Sequence, residues 1–191
     1  MIIDTHCHAG RNWFQPIESL EFEMNQAGVD AAVLIQHRGT YNNNYLFEEA
    51  AKRPGRFKVV VMVDPTDSDP LGTLENLSEQ GAAGIRITPD VRFNEISDMT
   101  DIWRKAGELG LVVSTLGDDK LFSSTRFKRI IDNCLETQIV IEHLAGVGIT
   151  EPPYTHYVSA LECAQHPNTT IKVPELGEII PRPSILLPYF R

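Results

Sequence analysis

The chain has 191 residues, of which 42% are hydrophobic and 23% charged, proportions typical of a globular domain with a substantial core. Its 26 acidic residues outnumber its 17 lysines and arginines, which gives a net charge of −9 and argues against nucleic acid or an anionic membrane as a partner. We expect a soluble cytoplasmic protein, because the N-terminus is unlike a signal peptide, no apolar run reaches about 20 residues, and the three cysteines lack metal-finger spacing.

Seven short apolar runs, rich in valine, isoleucine and leucine, predict β-strands. Their centres are roughly 25–30 residues apart, the length of one strand–helix unit. Their continuous rather than alternating hydrophobicity is typical of strands buried on both faces of a parallel sheet. The predicted strands are Met1–His6, Ala31–Gln36, Phe57–Val63, Ala83–Ile87, Leu111–Thr115, Gln138–Glu142 and Thr169–Val173.

Apolar residues spaced three to four apart predict helices between most of these strands. Gly28 is placed to end the first helix, and Asp69-Pro70 supplies an N-cap and a first helical residue for the third. The six predicted helices lie around Ile17–Ala27, Tyr45–Lys52, Leu71–Leu77, Ile102–Leu109, Phe127–Cys134 and Tyr157–Ala164.

Repeated strand–helix alternation indicates parallel strands joined by right-handed crossovers. An open doubly wound sheet and a closed barrel both fit this pattern. Histidines rather than a glycine-rich phosphate loop follow the first strand, which favours the barrel. The sequence therefore predicts an α/β fold, a TIM-type (β/α) barrel, as a single domain over residues 1–191.

This barrel is predicted to be incomplete, with about seven parallel strands and six helices where a closed barrel has about eight of each. Residues 174–191 form a proline-spaced tail, and we expect the last helix, strand and helix to be missing. Because open edge strands tend to pair with other chains, we expect a homo-oligomer.

The stretch Asp4-Thr5-His6-Cys7-His8 closes the first predicted strand. Alternate residues of a strand share a face, so we expect Asp4, His6 and His8 on one side and Thr5 and Cys7 on the other. Active sites of barrels lie at the carboxyl ends of the strands, where two imidazoles can bind one divalent metal. The alternative is a pair of surface histidines at a strand end.

Two more strand ends carry candidate site residues. His143 follows the sixth strand and is a candidate for a third metal ligand, a hydrogen-bond donor to a substrate oxygen, or a structural histidine bonded to backbone. Arg86 lies within an apolar strand, and burying its charge costs several kcal/mol unless it is paired. Its partner is either a substrate carboxylate or an internal acid such as Asp64 or Glu142.

Four segments, in order along the chain, resemble the amidohydrolase superfamily, most closely the amidohydrolase-2 branch of lactonases and related decarboxylases. The resemblance implies a (β/α)₈ barrel that hydrolyses a carboxylated or lactone-type small molecule by metal- or His/Arg-assisted attack of water. The segments are Ile3–His8, Ala83–Ile87, Ile139–Gly146 and Ile171–Glu178.

The resemblance also implies roles for individual residues. His6 and His8 match the first-strand pair that binds metal or substrate, with zinc or manganese as the expected cofactor. His143 matches the sixth-strand histidine and is the expected catalytic residue. Arg86 resembles the fourth-strand arginine that meets a substrate carboxylate in lactonases.

The chain departs from the family pattern at two strands. The fifth strand usually ends in a histidine, whereas Val112–Gly117 contains none. The eighth strand normally supplies an aspartate that activates water, and the sequence stops before it. We therefore expect weak or absent metal binding and impaired hydrolysis.

Three alternative functions remain open. The chain is either the proposed hydrolase, a decarboxylase of the same branch, or a non-catalytic remnant that only binds metal or ligand. A TatD-like nuclease also opens with a similar first strand. That reading is disfavoured because Gly84–Thr88 lacks the glutamate-rich motif of those enzymes and the net charge is acidic.

Overall fold

The computed structural model of this chain describes residues 1–146 and 155–173, which form one parallel sheet with helices packed against it. The seven strands are hydrogen-bonded to one another in chain order, and every pair is parallel. The strands are β1 (Ile3–Cys7), β2 (Ala31–Ile35), β3 (Phe57–Val61), β4 (Ala82–Arg86), β5 (Val112–Thr115), β6 (Ile139–Ile141) and β7 (Thr169–Ile171).

This arrangement confirms the predicted incomplete TIM-type barrel. The sheet curls as barrel strands do, and over the described residues β7 and β1 are its two edges. The predicted tail, residues 174–191, lies outside those residues. None of the helices described is long and apolar enough to cross a membrane.

Helices connect the strands and cover the outer face of the sheet. The eight α-helical segments in the described residues are α1 (Ile17–Ala27), α2 (Asn44–Ala51), α3 (Pro70–Glu79), α4 (Asp101–Glu108), α5 (Asp119–Phe122), α6 (Thr125–Asn133), α7 (His143–Gly146) and α8 (Thr155–Glu162), and a 3₁₀ turn at Cys163–Gln165 follows α8. All six predicted helices are present, and α5 and α7 are additional. Both additional segments are only four residues long, too short to show a helical period in the sequence.

The predicted helix boundaries have the expected local chemistry. The Asp69 side chain accepts a hydrogen bond from the Gly72 amide at the start of α3, and Pro70 occupies the first helical position. Gly28 ends α1 in the left-handed conformation with φ of 68°. These signals are local, which explains why the sequence alone predicted them.

The main core lies between the sheet and the helices, where one face of each strand meets apolar helix residues such as Trp103 and Phe127. The opposite face of the curled sheet encloses a cavity of about 210 Å³. Its walls are mostly valine and isoleucine, together with Thr5, Lys58 and Lys172. The sheet is therefore buried on one face and surrounds a small apolar interior on the other.

A β-bulge in β1 alters the predicted alternation of side chains. Asp4 pairs with Ala32 and Cys7 with Leu34, so β1 contains one more residue than β2 over this interval. Thr5 consequently lines the interior cavity. The Asp4 carboxylate instead accepts a hydrogen bond from the His6 amide, at 2.9 Å. The prediction that Asp4 shares a face with the histidines while Thr5 faces away is wrong, because the extra residue breaks the two-residue period.

Candidate functional site

His6 and His8 meet at the carboxyl end of β1. Their Nε2 atoms are 3.2 Å apart, and the two rings are nearly perpendicular, with centroids 4.9 Å apart. Zn–N bonds of about 2.0–2.1 Å at a tetrahedral angle place two ligand nitrogens roughly 3.3 Å apart. The spacing of the two nitrogens therefore fits ligation of one divalent ion.

The His8 ring is fixed from two sides. Its Nδ1 lies 2.7 Å from the Ile35 carbonyl oxygen, and Phe14 stacks on it at a centroid distance of 4.5 Å. A carbonyl oxygen only accepts hydrogen bonds, so Nδ1 carries the proton and Nε2 of the neutral ring presents its lone pair. This is the arrangement that commonly orients metal-binding histidines.

The His6 ring packs beside a second histidine, His143, with centroids 4.9 Å apart. Glu142 completes a cluster in which the possible ligand atoms of all three residues lie within 4.8 Å of one another. Burial lowers the pKa of His6 to about 3, so the imidazole is neutral at physiological pH. A neutral imidazole is the form that binds metal.

His143 lies on a turn with an unusual backbone. His143, Leu144 and Ala145 have φ values of 52°, 50° and 57°, in the left-handed region that side chains other than glycine rarely adopt. Hydrogen bonds hold this turn in place, from the Leu144 amide to the Lys172 carbonyl and from the Ala145 amide to the Glu142 carbonyl. Such strained conformations persist where surrounding structure fixes them, and they concentrate at functional sites.

Gly146 ends this turn close to another strand end. A Cβ at Gly146 would lie 2.9 Å from the Gly117 carbonyl oxygen and 2.9 Å from the Asp118 Cα. Gly146 therefore allows a close backbone approach that a side chain would block. It brings the end of β6 against the loop that follows β5.

Arg86 and Glu142 form a buried ion pair beneath the histidines. The guanidinium donates from Nε to Glu142 Oε1 at 3.1 Å and from NH2 to Oε2 at 2.6 Å, and from NH1 to the Gln36 carbonyl at 3.2 Å. Ser114 Oγ donates a further bond to Glu142 Oε1 at 2.7 Å. Burial opposes ionisation of Glu142, but the Arg86 charge and these hydrogen bonds keep its pKa below the ordinary value.

Lys172 follows β7 and contacts β1 across the open side of the sheet. Its Nζ donates to the Thr5 carbonyl at 2.9 Å and lies 3.4 Å from His6 Nδ1. Burial lowers the pKa of Lys172, while the nearby Glu142 charge acts in the opposite direction. His6 therefore has a cationic side chain on one side and the His8 ring on the other.

The structure brings His6, His8 and His143 together at the mouth of the barrel. Arg86 lies below them with Glu142 as its partner, one of the two internal acids that the sequence offered. Asp64, the other, accepts hydrogen bonds from the Thr66 amide and hydroxyl instead. A direct contact between Arg86 and a substrate carboxylate stays a prediction.

Sequence reasoning did not single out Lys172 or Phe14 as neighbours of the histidines, nor Glu142 as a possible ligand. Glu142 had a usable signal, because it immediately precedes His143 at a strand end. Lys172 has the same kind of signal, because it directly follows β7, whereas Phe14 reaches His8 only through the packing of the loop after β1.

Several residues fit a divalent metal. His6 and His8 present nitrogens at ligand spacing, and His143 is the nearest further nitrogen donor in the cluster. Glu142 is less suited, because both of its oxygens already accept hydrogen bonds from Arg86. β5 ends in Ser114 and Thr115. A histidine at this strand end would have added a further metal ligand.

The sequence profile of a protein family described as amidohydrolase matches residues 3–184. A search of curated proteins finds no match. Among solved structures, a protein from Acinetobacter baumannii assigned as a 2-pyrone-4,6-dicarboxylic acid hydrolase, with citric acid bound, superimposes with a TM-score of 0.74 at 20% identity, covering 93% of this chain and 72% of that one.

Two further structures superimpose equally well. A Pseudomonas putida protein with the same assignment has a TM-score of 0.74 at 20% identity, covering 98% of this chain and 73% of its own. An amidohydrolase from Burkholderia multivorans with zinc bound has a TM-score of 0.74 at 16% identity, covering 93% of this chain and 71% of that one. At these identities the likeness concerns the fold.

Proposed function

We propose, from the premise that this chain belongs to the amidohydrolase-2 family, that it hydrolyses a small carboxylated or lactone-type molecule at the mouth of its barrel. The observation that carries the proposal is the convergence of His6, His8 and His143 above a buried Arg86–Glu142 pair. The A. baumannii and P. putida neighbours, assigned as hydrolases of a pyrone dicarboxylate, support this substrate class.

His6 and His8 would hold the divalent ion, zinc or manganese, with His143 beside them. An ion bound there supplies Lewis-acid polarisation of the substrate carbonyl. The zinc-bound B. multivorans neighbour supports this cofactor class. The neutral His6 ring and the proton fixed on Nδ1 of His8 leave both residues ready for ligation.

His143 is the proposed catalytic residue. Glu142 is committed to Arg86 and Ser114, so it is poorly placed to accept a proton from water. The His143 side chain is about 25% exposed, and its Nε2 lies 3.7 Å from Glu142 Oε2. In this proposal His143 Nε2 accepts a proton from the water that attacks the carbonyl carbon, and it returns that proton to the ring oxygen as the C–O bond breaks. Glu142 stabilises the charged imidazole that forms between the two transfers.

The test of the proposed function is an assay of the purified chain on a panel of small lactones that includes 2-pyrone-4,6-dicarboxylate. The protein is first incubated with zinc, manganese or a chelator. We expect ring opening by addition of water, detected by mass spectrometry, and its loss in the His6→Ala/His8→Ala variant. Loss of carbon dioxide instead would identify a decarboxylase, and a folded, metal-loaded chain that only binds these compounds would refute catalysis.

Metal content is a separate prediction. We expect about one zinc or manganese ion per chain, held weakly because β5 contributes no histidine. Elemental analysis after dialysis against the metal should give a clear difference between the wild type and the His6→Ala/His8→Ala variant. His156→Ala, which changes an exposed histidine, is the matched control. Equal metal content in the wild type and the double variant would contradict the assignment.

A further inference from the structure

A cleft opens at the mouth of the barrel, between the loop after β1 and the loop after β2. Its volume is about 420 Å³. Ala9 and Gln36 lie in its wall, and they directly follow His8 and Ile35, the two residues that a 2.7 Å hydrogen bond joins. Both loops leave the carboxyl ends of their strands, where barrels carry their active sites. The cleft therefore adjoins the histidine cluster.

Aromatic rings connect His8 to the wall of this cleft. Phe14 stacks on His8 with ring centroids 4.5 Å apart, and it contacts the His37 ring at 5.5 Å. The Trp13 ring follows at 6.0 Å from that of His37. All three separations are within the range of about 4.5–7 Å over which aromatic rings interact. Because Trp13 and His37 both line the cleft, we call it the aromatic cleft.

Trp13 presents its indole to solvent at this cleft. It is 78% exposed, whereas Trp103, the other tryptophan of the chain, is 1% exposed in the core. Exposure of so large an apolar surface is unfavourable, and tryptophan is highly buried on average. The loop that carries Trp13 is closed by a hydrogen bond from the Gly10 amide to the Gln15 carbonyl at 3.1 Å. The indole therefore stands on a closed loop with a flat face available to a ligand.

The His37 ring is fixed so that it offers its face rather than its nitrogens. Nδ1 lies 3.0 Å from the Arg38 carbonyl oxygen, and Nε2 lies 2.7 Å from the Thr40 hydroxyl. A carbonyl oxygen only accepts, so Nδ1 donates to it and Nε2 accepts from the hydroxyl. The Gln36 side chain holds the same loop by donating to the Asn42 carbonyl at 3.0 Å. A ligand in the cleft therefore meets a second ring face beside the indole.

The described lining of the aromatic cleft has no net formal charge. Arg11 and Glu48 are its charged residues, and they pair with each other at 3.3 Å. The Arg11 guanidinium also lies 5.2 Å from the centre of the Tyr45 ring, a cation–π distance. The other polar side chains are neutral and include three asparagines and Thr40. A neutral flat group fits this lining better than a carboxylate does.

We infer that the aromatic cleft binds a flat, unsaturated ring of the substrate by stacking on Trp13 and His37. This inference rests on the proposed function, because it places the hydrolysed group at His6 and His8 and the ring in the adjacent cleft. The ligand class is a lactone or carboxylic compound whose reacting group is joined to an unsaturated ring. A saturated ring is puckered, so it makes less contact with the face of an indole.

Benzoate and cyclohexanecarboxylate are the probes, because they carry the same carboxylate and differ in whether the ring is flat. The carboxylate stands in for the reacting group at the histidines. Equilibrium dialysis of the full chain, incubated with zinc, measures both affinities. We expect benzoate to bind about two- to tenfold more tightly, the size of an aromatic pair interaction. Acrylamide, a neutral quencher, should quench the exposed Trp13 less when benzoate is bound, and Trp103 is too buried to contribute.

Substitutions at Trp13 test the stacking directly. Trp13→Ala should weaken benzoate binding by about two- to tenfold and leave cyclohexanecarboxylate binding nearly unchanged. Trp13→Phe keeps a flat face and should retain most of the benzoate affinity. Phe22→Ala is the matched control, because Phe22 is 65% exposed on α1, outside the loops at the barrel mouth, and it should bind both probes as the wild type does. Equal affinity for the two probes, or unchanged benzoate affinity in Trp13→Ala, would overturn the inference.

A failure of the aromatic cleft can be told apart from a failure of the proposed function. Benzoate binding needs no turnover, so selectivity that depends on Trp13 supports the cleft even if no lactone is hydrolysed. Conversely, hydrolysis of flat and saturated lactones with an unchanged KM in Trp13→Ala would uphold the function and overturn the cleft. Shielding of Trp13 that grows with protein concentration, without any ligand, would assign the indole to a contact between copies of the chain and would also overturn the inference.

Discussion

Replacing Arg86 with methionine is expected to lower the free energy of unfolding by about 3–5 kcal/mol, because the change leaves a buried carboxylate without its partner. Arg86 is 7% exposed and Glu142 is 0% exposed, so water cannot replace the guanidinium without opening the barrel mouth. Chemical denaturation followed by circular dichroism measures the change. An unaltered unfolding midpoint in Arg86→Met would refute the structural role of the pair.

Two further variants separate the ion pair from general effects of the substitution. Arg104→Met removes a more exposed arginine that pairs with Asp98 and Asp101, and it should cost less than about 1 kcal/mol. Arg86→Met/Glu142→Met removes both charges and should recover much of the lost stability, because apolar replacement of a whole buried pair is often neutral.

The contribution of this pair also depends on pH. The pKa of Glu142 in the folded protein is below its ordinary value of 4.5. The stabilisation is therefore fully present above about pH 4.5 and is lost as the pH falls through the lower folded pKa. The stability difference between the wild type and Arg86→Met should shrink over that acidic range.

The second large effect is expected from His143→Ala, which should lower kcat/KM on a hydrolysed lactone by about 10²–10⁴-fold. The reason is the loss of the proposed proton-transfer group beside His6, whose ring centroid is 4.9 Å from that of His143. Steady-state kinetics at saturating metal measure this change, and metal content measured on the same samples separates lost ligation from lost proton transfer.

His156→Ala is the matched control for that experiment. His156 is exposed at the start of α8, and its ring lies 3.4 Å from the Ser123 hydroxyl, away from the cluster. Its kinetics should equal those of the wild type. If His143→Ala retains full kcat with normal metal content, His143 has no catalytic role and proton transfer must be assigned elsewhere.

The sequence predicted the strands well because most of them are short and largely apolar. All seven exist, with ends within about two residues of those predicted. The features that the sequence did not predict depend on local geometry, which leaves no periodic pattern of apolar residues. The β1 bulge adds one residue between Asp4 and Cys7, and α5 and α7 are single turns.

The candidate site was predictable only in part. His6, His8 and His143 stand at strand ends, and the barrel topology alone brings strand ends together. The partner of Arg86 could not be chosen from the sequence, because Asp64 and Glu142 both follow strands of the same sheet. Glu142 is 56 residues away along the chain, and only the register and curvature of β4 and β6 place the two side chains face to face.

The contact of Lys172 with the first strand has a consequence for how the protein is made. Lys172 bonds to Thr5 and His6 across sequence separations of 167 and 166 residues. His6 and His8 leave the ribosome before His143 and Lys172 do. Until then the two histidines lack the neighbours that bury them, and pairings between such distant residues form slowly. A nascent or shortened chain that ends before β6 would therefore carry the histidine pair without the surroundings that make it a site.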